Sequence, residues 1–304
     1  MSLVHLSPDV QAALEAGKPV VALESTIITH GMPWPQNLEV ARQVEATVKD
    51  AGAEPATIAV LDGRLCVGLD DAQLEQLAQA KGVAKLSRAD MAVCMAEGRT
   101  GATTVAATMI AAERAGISVF ATGGIGGVHK GAESSFDISA DLQELAQTAV
   151  TVVAAGAKAI LDLPKTLEVL ETLGVPVIAY GQDQLPAFWS REAGLRAPLR
   201  MDTAGAIARA HVMRGRLGLP GGQLVANPIP ADAEIPRDVL APLIAEANRD
   251  AEQHGISGKA LTPYLLQRLF ELTKGRSLEA NIALVLNNAR LAAGIACEIC
   301  ENTD

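Results

Sequence analysis

Aromatic side chains are scarce: Phe, Trp and Tyr make up 3% of the 304 residues. Binding single-stranded nucleic acid by stacking needs aromatic platforms, so that class is disfavoured. Positive charge is also in deficit. The 25 Lys and Arg face 35 Asp and Glu, leaving a net charge of −10 and no field to attract a polyanion. A small anion remains admissible, because backbone amides and a few lysines bind one whatever the global sign. Cysteine is limited to Cys66, Cys94, Cys297 and Cys300, which read as free thiols in a large chain of this composition. Cys297 and Cys300 have C-x-x-C spacing, but no second pair completes a zinc site and both sit on a continuing helical pattern. The first ten residues, MSLVHLSPDV, lack the basic segment and apolar core of a signal peptide. No run approaches the roughly 18 apolar residues of a membrane span. The expectation is a cytoplasmic protein without nucleic-acid or membrane partners.

Aliphatic residues dominate what is present. Hydrophobic content is 49% and charged content 20%, enough for a large core and too apolar for disorder. Short apolar runs at 19–23, 57–61, 65–67, 117–122, 150–155, 175–180 and 224–226 read as strands. Between them, helical spacing predicts helices over 10–16, 37–51, 71–80, 103–115, 163–173 and 202–216, with another opening at Ser139 and a further segment over 90–97. From 237 to 295 the pattern is helical, with breaks near 254–258 and 273–276. Strands alternating with helices predict an α/β fold, a three-layer α/β/α sheet with an additional helical C-terminal layer. One domain over residues 1–304 accounts for the pattern better than two.

The densest polar chemistry lies in ATGGIGGVHKGAESSFDISADL, residues 121–142. Gly123, Gly124, Gly126 and Gly127 permit a tight turn and close approach to a ligand. The register is not that of a dinucleotide-binding fingerprint, and no Gly-Lys-Ser/Thr follows to make a Walker loop. Asp137 and Asp141 sit at i, i+4 around a helix start. They read either as a site for a Mg²⁺- or Mn²⁺-type ion, held by one carboxylate with waters and substrate oxygens, or as acids favouring the positive helix end. Lys158 ends the run VTVVAAGAK, where loss of water favours a nucleophilic amine; a snorkelling structural lysine fits the same letters. Glu24 directly follows an apolar strand, and in open α/β sheets ligands bind at the carboxyl ends of strands. It reads as an acid for proton transfer or as a cap. Lys85-Leu86-Ser87-Arg88 and Arg99 to Thr104 gather cations, hydroxyls and a helix start suited to phosphate, or form ordinary turns and caps. Asn281 and Asn288 share one helix face and read as a ligand grip or a polar face.

Taken together, ALESTIITHGMPWPQN, KLSRAD, GATTVAATM, FATGGIGGVHKGAESSFDISADL, VVAAGAKAILD and ANIALVLNNARLAAGIA resemble the pseudouridine-5′-phosphate glycosidases, a family shared with the indigoidine synthase A proteins. The resemblance runs in order from about Val20 to Ala296. It implies reversible cleavage of the C–C glycosidic bond of pseudouridine 5′-phosphate to uracil and ribose 5-phosphate, through a lysine Schiff base on the ring-opened sugar, in pseudouridine catabolism. It also implies a divalent ion, Mn²⁺, and an α/β/α homotrimer. Carried onto this chain, Lys158 matches the Schiff-base lysine, Glu24 the proton donor and Asp137 the metal-binding aspartate. Lys85 and Val105 match substrate contacts, as does the segment Ser139, Ala140 and Asp141. His129 and Asn288 resemble further pocket residues. Two rivals stand beside this reading, a Schiff-base aldolase for another sugar phosphate and a non-catalytic sugar-phosphate sensor.

Overall fold

The computed structural model describes residues 3–256 and 261–301. Its strands are β1 (Val4–Leu6), β2 (Val20–Leu23), β3 (Glu54–Leu61), β4 (Arg64–Val67), β5 (Ala84–Leu86), β6 (Gly101–Thr103), β7 (Val119–Ala121), β8 (Thr151–Ala154), β9 (Val177–Tyr180), β10 (Leu199–Met201) and β11 (Gln223–Ala226). They join in the order β1-β4-β3-β2-β7-β8-β11-β9-β10, with β6 pairing β3 and β5 pairing β6. From β3 to β10 along this path every pairing is parallel. β3 serves two neighbourhoods. Its first half pairs with β2, and its second half forms antiparallel ladders with β4 and β6.

Parallel strands covered on both faces need continuous apolar runs rather than alternation. β2 (VVAL), β7 (VFA) and β8 (TVVA) are buried at every position. One face is covered by the helices Gln36–Asp50, Ala204–Arg216 and Arg276–Glu301, the last packing across β2, β7 and β8. The helix Val105–Ala115 packs on β2 and β7 and against the helices Arg88–Ala96 and Ala140–Gln147. The three-layer sheet with a C-terminal helical layer is therefore present.

Several elements differ from the sequence-based expectation. The helix Arg276–Glu301 contains an 18-residue window of mean hydropathy 1.4, enough by length and composition to cross a membrane. Here it is a core helix: Ala280, Leu284, Ala289, Ala292 and Ala296 lie buried along it. Its small residues, interrupted by polar ones, hid that run. β1 and β10, three residues each, have the mixed burial of edge strands and gave no apolar run to find. Thr103, expected to open the helix over 103–115, instead ends β6, and the helix begins at Val105. Of the break expected near 254–258, residues 257 and 258 lie outside the described residues.

β2 leads to β3 on one side, while β7 flanks it on the other. The chain thus reverses its direction of winding between β2 and β7, and open α/β sheets bind ligands outside the strand ends at such a point. The registers Leu23 with Ala121, Ala121 with Val153, and Ala154 with Ala226 bring four carboxyl ends level.

Candidate active site

Three of these four strand ends are followed directly by a polar residue. Glu24 follows β2, Thr122 follows β7, and Asn227 follows β11. Beyond β7 and β8 the ladder continues irregularly. Ala155 N–H donates to Gly123 O (2.9 Å), Ile125 N–H to Gly156 O (3.1 Å) and Lys158 N–H to Ile125 O (3.1 Å). The glycine loop is thus an extension of the sheet, and its pairing with the segment after β8 holds Lys158 at the same end as Glu24.

A cavity of about 870 Å³ opens there. Glu24, Lys85, Val105, His129, Asp137, Ser139, Asp141 and Lys158 all line it, drawn from segments far apart in the chain. Two expected pocket residues are not on its wall. Ala140 is exposed at the first position of the helix Ala140–Gln147. Asn288 is wholly buried behind the wall, where its Nδ2 donates to Thr122 O (2.8 Å) and its Oδ1 accepts from Asn227 Nδ2 (3.0 Å). A helical period places Asn288 on the inner face without showing that a strand end fills the space in front of it.

Glu24 is oriented by two hydroxyls: Thr122 Oγ1 donates to its Oε1 and Thr26 Oγ1 to its Oε2. The turn that carries it is braced by Ser25, whose Oγ accepts from Thr103 N–H (2.9 Å). Thr103 in turn donates its hydroxyl to Ile58 O (2.8 Å). Thr103 therefore works in the scaffold. Its neighbour Thr104 lines the cavity, and its Oγ1 is buried with no hydrogen-bond partner among the described residues. A buried, unpaired hydroxyl costs stability unless something else satisfies it.

Asp141 is 6% exposed, and its carboxylate clamps two backbone segments. Oδ1 accepts from Ala106 N–H (3.0 Å) in the first turn of Val105–Ala115, and Oδ2 from Gly126 N–H (2.8 Å) in the glycine loop. Gly126 has to be glycine, since a Cβ there would meet Ser139 and the Asp141 carboxylate.

His129 donates its backbone N–H to Asp137 O (3.0 Å), which closes the loop between them. Burial holds the His129 imidazole below its ordinary range. The Asp137 charge opposes this, while Lys158 and Lys85 add to it. On the rim, partial burial lowers the His30 imidazole too, with Lys85 acting in the same direction and the Val83 carbonyl opposing. The Asp137 carboxylate makes no hydrogen bond among the described residues, and no group of three His, Cys, Asp or Glu side chains there could enclose a metal. That donor set suits a hydrated hard cation held through one carboxylate, and does not suit a closed zinc site.

The other wall is apolar and was not foreseen. Phe188 reaches in from the connection between β9 and β10, with a left-handed backbone (φ 62°) and its N–H on Ala155 O (2.9 Å). A Cβ at Gly124 would stand 2.6 Å from its ring, so the glycine makes room for the aromatic. Trp189 packs beside it with centroids 4.9 Å apart and donates Nε1–H to Asn281 Oδ1 (2.7 Å). Asn281, which the sequence left open as a ligand grip or a polar face, lines the cavity, and Leu266 and Phe270 of the helix Leu261–Leu272 complete this side. Phe188 stood in an irregular stretch without periodicity, so no sequence signal marked it.

The family model described as "Indigoidine synthase A like protein" matches residues 9–298. A pseudouridine-5′-phosphate glycosidase of Roseobacter denitrificans is 73% identical over 296 residues, covering 97% of this chain and 96% of that protein. One from Jannaschia sp. is 72% identical over 290 residues, covering 95% and 96%. Among solved structures, a prealnumycin C-glycosynthase in complex with ribulose 5-phosphate superposes with a TM-score of 0.92 at 42% identity, covering 99% of this chain and 98% of that one. An indigoidine synthase A-like protein of Thermotoga maritima gives 0.89 at 33%, covering 98% and 96%.

Proposed function

The chain belongs to the indigoidine synthase A-like family, and from that premise we propose that it cleaves the C–C glycosidic bond of pseudouridine 5′-phosphate reversibly, releasing uracil and ribose 5-phosphate. The observation that carries this reading is the convergence of Glu24 and Lys158 on one cavity, from beyond the ends of β2 and β8 on either side of β7. Acid catalysis alone struggles to break a C–C bond, and an amine that becomes an iminium supplies the missing electron sink.

In the proposed sequence the ribose ring opens and the Lys158 amine adds to C1′. The C1′–C5 bond then breaks with its electron pair going to the base, and Glu24 delivers a proton to uracil C5. The remaining C1′=N iminium on Lys158 is hydrolysed, and water's oxygen leaves as the aldehyde of ribose 5-phosphate. Thr122 and Thr26 keep both carboxylate oxygens of Glu24 in place for that delivery.

Lys85, the Thr104 hydroxyl and the start of the helix at Val105 offer the cationic and hydrogen-bonding surface a phosphate needs. The solved relative that holds ribulose 5-phosphate supports a pentose phosphate as the ligand. The apolar wall of Phe188, Leu266 and Phe270 suits the flat face of a base. Asp137 would hold a divalent cation, Mn²⁺ by the family resemblance, which when bound orders water and substrate oxygens. Pseudouridine catabolism and a homotrimeric assembly complete the reading.

The deciding experiment incubates the full chain with pseudouridine 5′-phosphate and Mn²⁺ and measures uracil. Release supports the glycosidase, and no release sinks it. Borohydride with ribose 5-phosphate should add the reduced sugar mass at Lys158. Release without an adduct would remove the covalent route and leave the activity standing.

A further inference from the structure

Asn288 lies at the middle of the core helix Arg276–Glu301 and is 0% exposed, with apolar Leu284 and Ala292 one turn away on either side. An amide in such a place is unfavourable for packing and persists only where its hydrogen bonds are used. Its orientation is determined by its partners. Asn227 Nδ2 donates to Asn288 Oδ1 (3.0 Å), so the Asn288 amino group must face the other way, onto Thr122 O (2.8 Å). Asn227 is anchored in turn, its N–H on Ala154 O (2.8 Å).

Thr122 is 1% exposed and pinned on both backbone sides, since its N–H donates to Val153 O (3.0 Å). Only its hydroxyl remains to be directed, and it donates to Glu24 Oε1. An unbroken chain of bonds therefore runs from the ends of β11 and β8, through Asn288, to the Glu24 carboxylate. We propose that Asn288 is a positioning residue that aims Glu24 by fixing the Thr122 peptide. The inference rests on the reading of Glu24 as proton donor. Proton transfer to carbon tolerates little misalignment, and a displacement of about 1 Å at a reacting group can cost about 100-fold in rate.

The test uses the full chain as Asn288→Ala, Thr122→Val and the double variant. Borohydride trapping with ribose 5-phosphate reports imine formation at Lys158, a step that does not need Glu24. Uracil release from pseudouridine 5′-phosphate reports the step that does. Asn288→Ala is expected to lower kcat for release by about 10- to 100-fold, with KM and trapping rate within about twofold of wild type. Thr122→Val should fall similarly, and the double variant should be no worse than the poorer single one, because both act through one contact. Parallel loss of trapping and release would mark a merely structural role and overturn the proposal. So would an unchanged kcat, or effects that multiply in the double variant. Should Asn288→Ala fail to melt cooperatively, Asn288→Asp carries the same test, since it keeps the shape and the bond from Asn227 but turns an acceptor onto Thr122 O. No uracil release by the wild type would sink the parent reading instead.

Discussion

Asp141 offers the sharpest separation of scaffold from substrate contact. Its carboxylate is 6% exposed and accepts two backbone N–H groups, from Ala106 and Gly126, at 3.0 and 2.8 Å. Hydrogen bonds to charged groups contribute about 1.5–3 kcal/mol each, and burial leaves little water to replace them, so Asp141→Ala should cost about 3–6 kcal/mol. At about 2 °C per kcal/mol for a chain of this length, the melting temperature should fall by about 6–12 °C. Asp141→Asn keeps one acceptor oxygen and sets an amino group against the other N–H, so it should lie between wild type and Ala. Thermal unfolding followed by circular dichroism measures both, and calorimetric titration with ribose 5-phosphate measures binding on the same samples. If Asp141→Ala melted within about 1 °C of wild type while losing affinity, the carboxylate would be gripping substrate and the clamp argument would be wrong.

Lys158→Ala should abolish uracil release and borohydride-trapped adduct with an unchanged melting temperature, whereas Glu24→Ala should still form the adduct from ribose 5-phosphate and fail to release uracil, both read by mass spectrometry and a uracil assay. Chelation should remove activity that added Mn²⁺ restores, and Asp137→Asn should raise the Mn²⁺ concentration needed by more than about tenfold, since the proposed site has one carboxylate donor. Burial, then the Arg214 charge, lowers the His211 imidazole below its ordinary 6.5, so the unfolded chain takes up a proton that the native state refuses. That contribution to stability is complete above pH 6.5 and is lost as the pH falls toward the lower native value, so replacing His211 with Gln should flatten denaturation midpoints below pH 6.5. Light scattering should give a mass three times the 31.5 kDa chain.

The strand-end positions of Glu24 and Lys158 were legible because continuous apolar runs mark buried parallel strands, and a polar residue directly after such a run must emerge at the sheet's rim. Edge strands carry no such mark. β1 and β10 pair on one side only, so their side chains need not be apolar. The apolar half of the cavity was illegible for another reason. Phe188 is placed by a left-handed backbone and by the space that Gly124 leaves, and neither has a period.

Asn288 and Asp141 show where reading by residue type stops. Both are polar, both lie on helices near the site, and both read as ligand contacts by residue type alone. What decides their role is which polar groups they meet. Asp141 meets two backbone donors that the ends of a helix and a glycine loop would otherwise leave unpaired. Asn288 meets a strand-end carbonyl and a second amide. Among the described residues lining the cavity, the Thr104 hydroxyl and the Asp137 carboxylate are left without an internal hydrogen bond. Both line the cavity with Lys158, so a ligand there would find partners that the fold has not already used. Where four strands of a sheet end level, scaffold and chemistry compete for the same few polar positions, and hydrogen-bond satisfaction shows which groups the scaffold has already used.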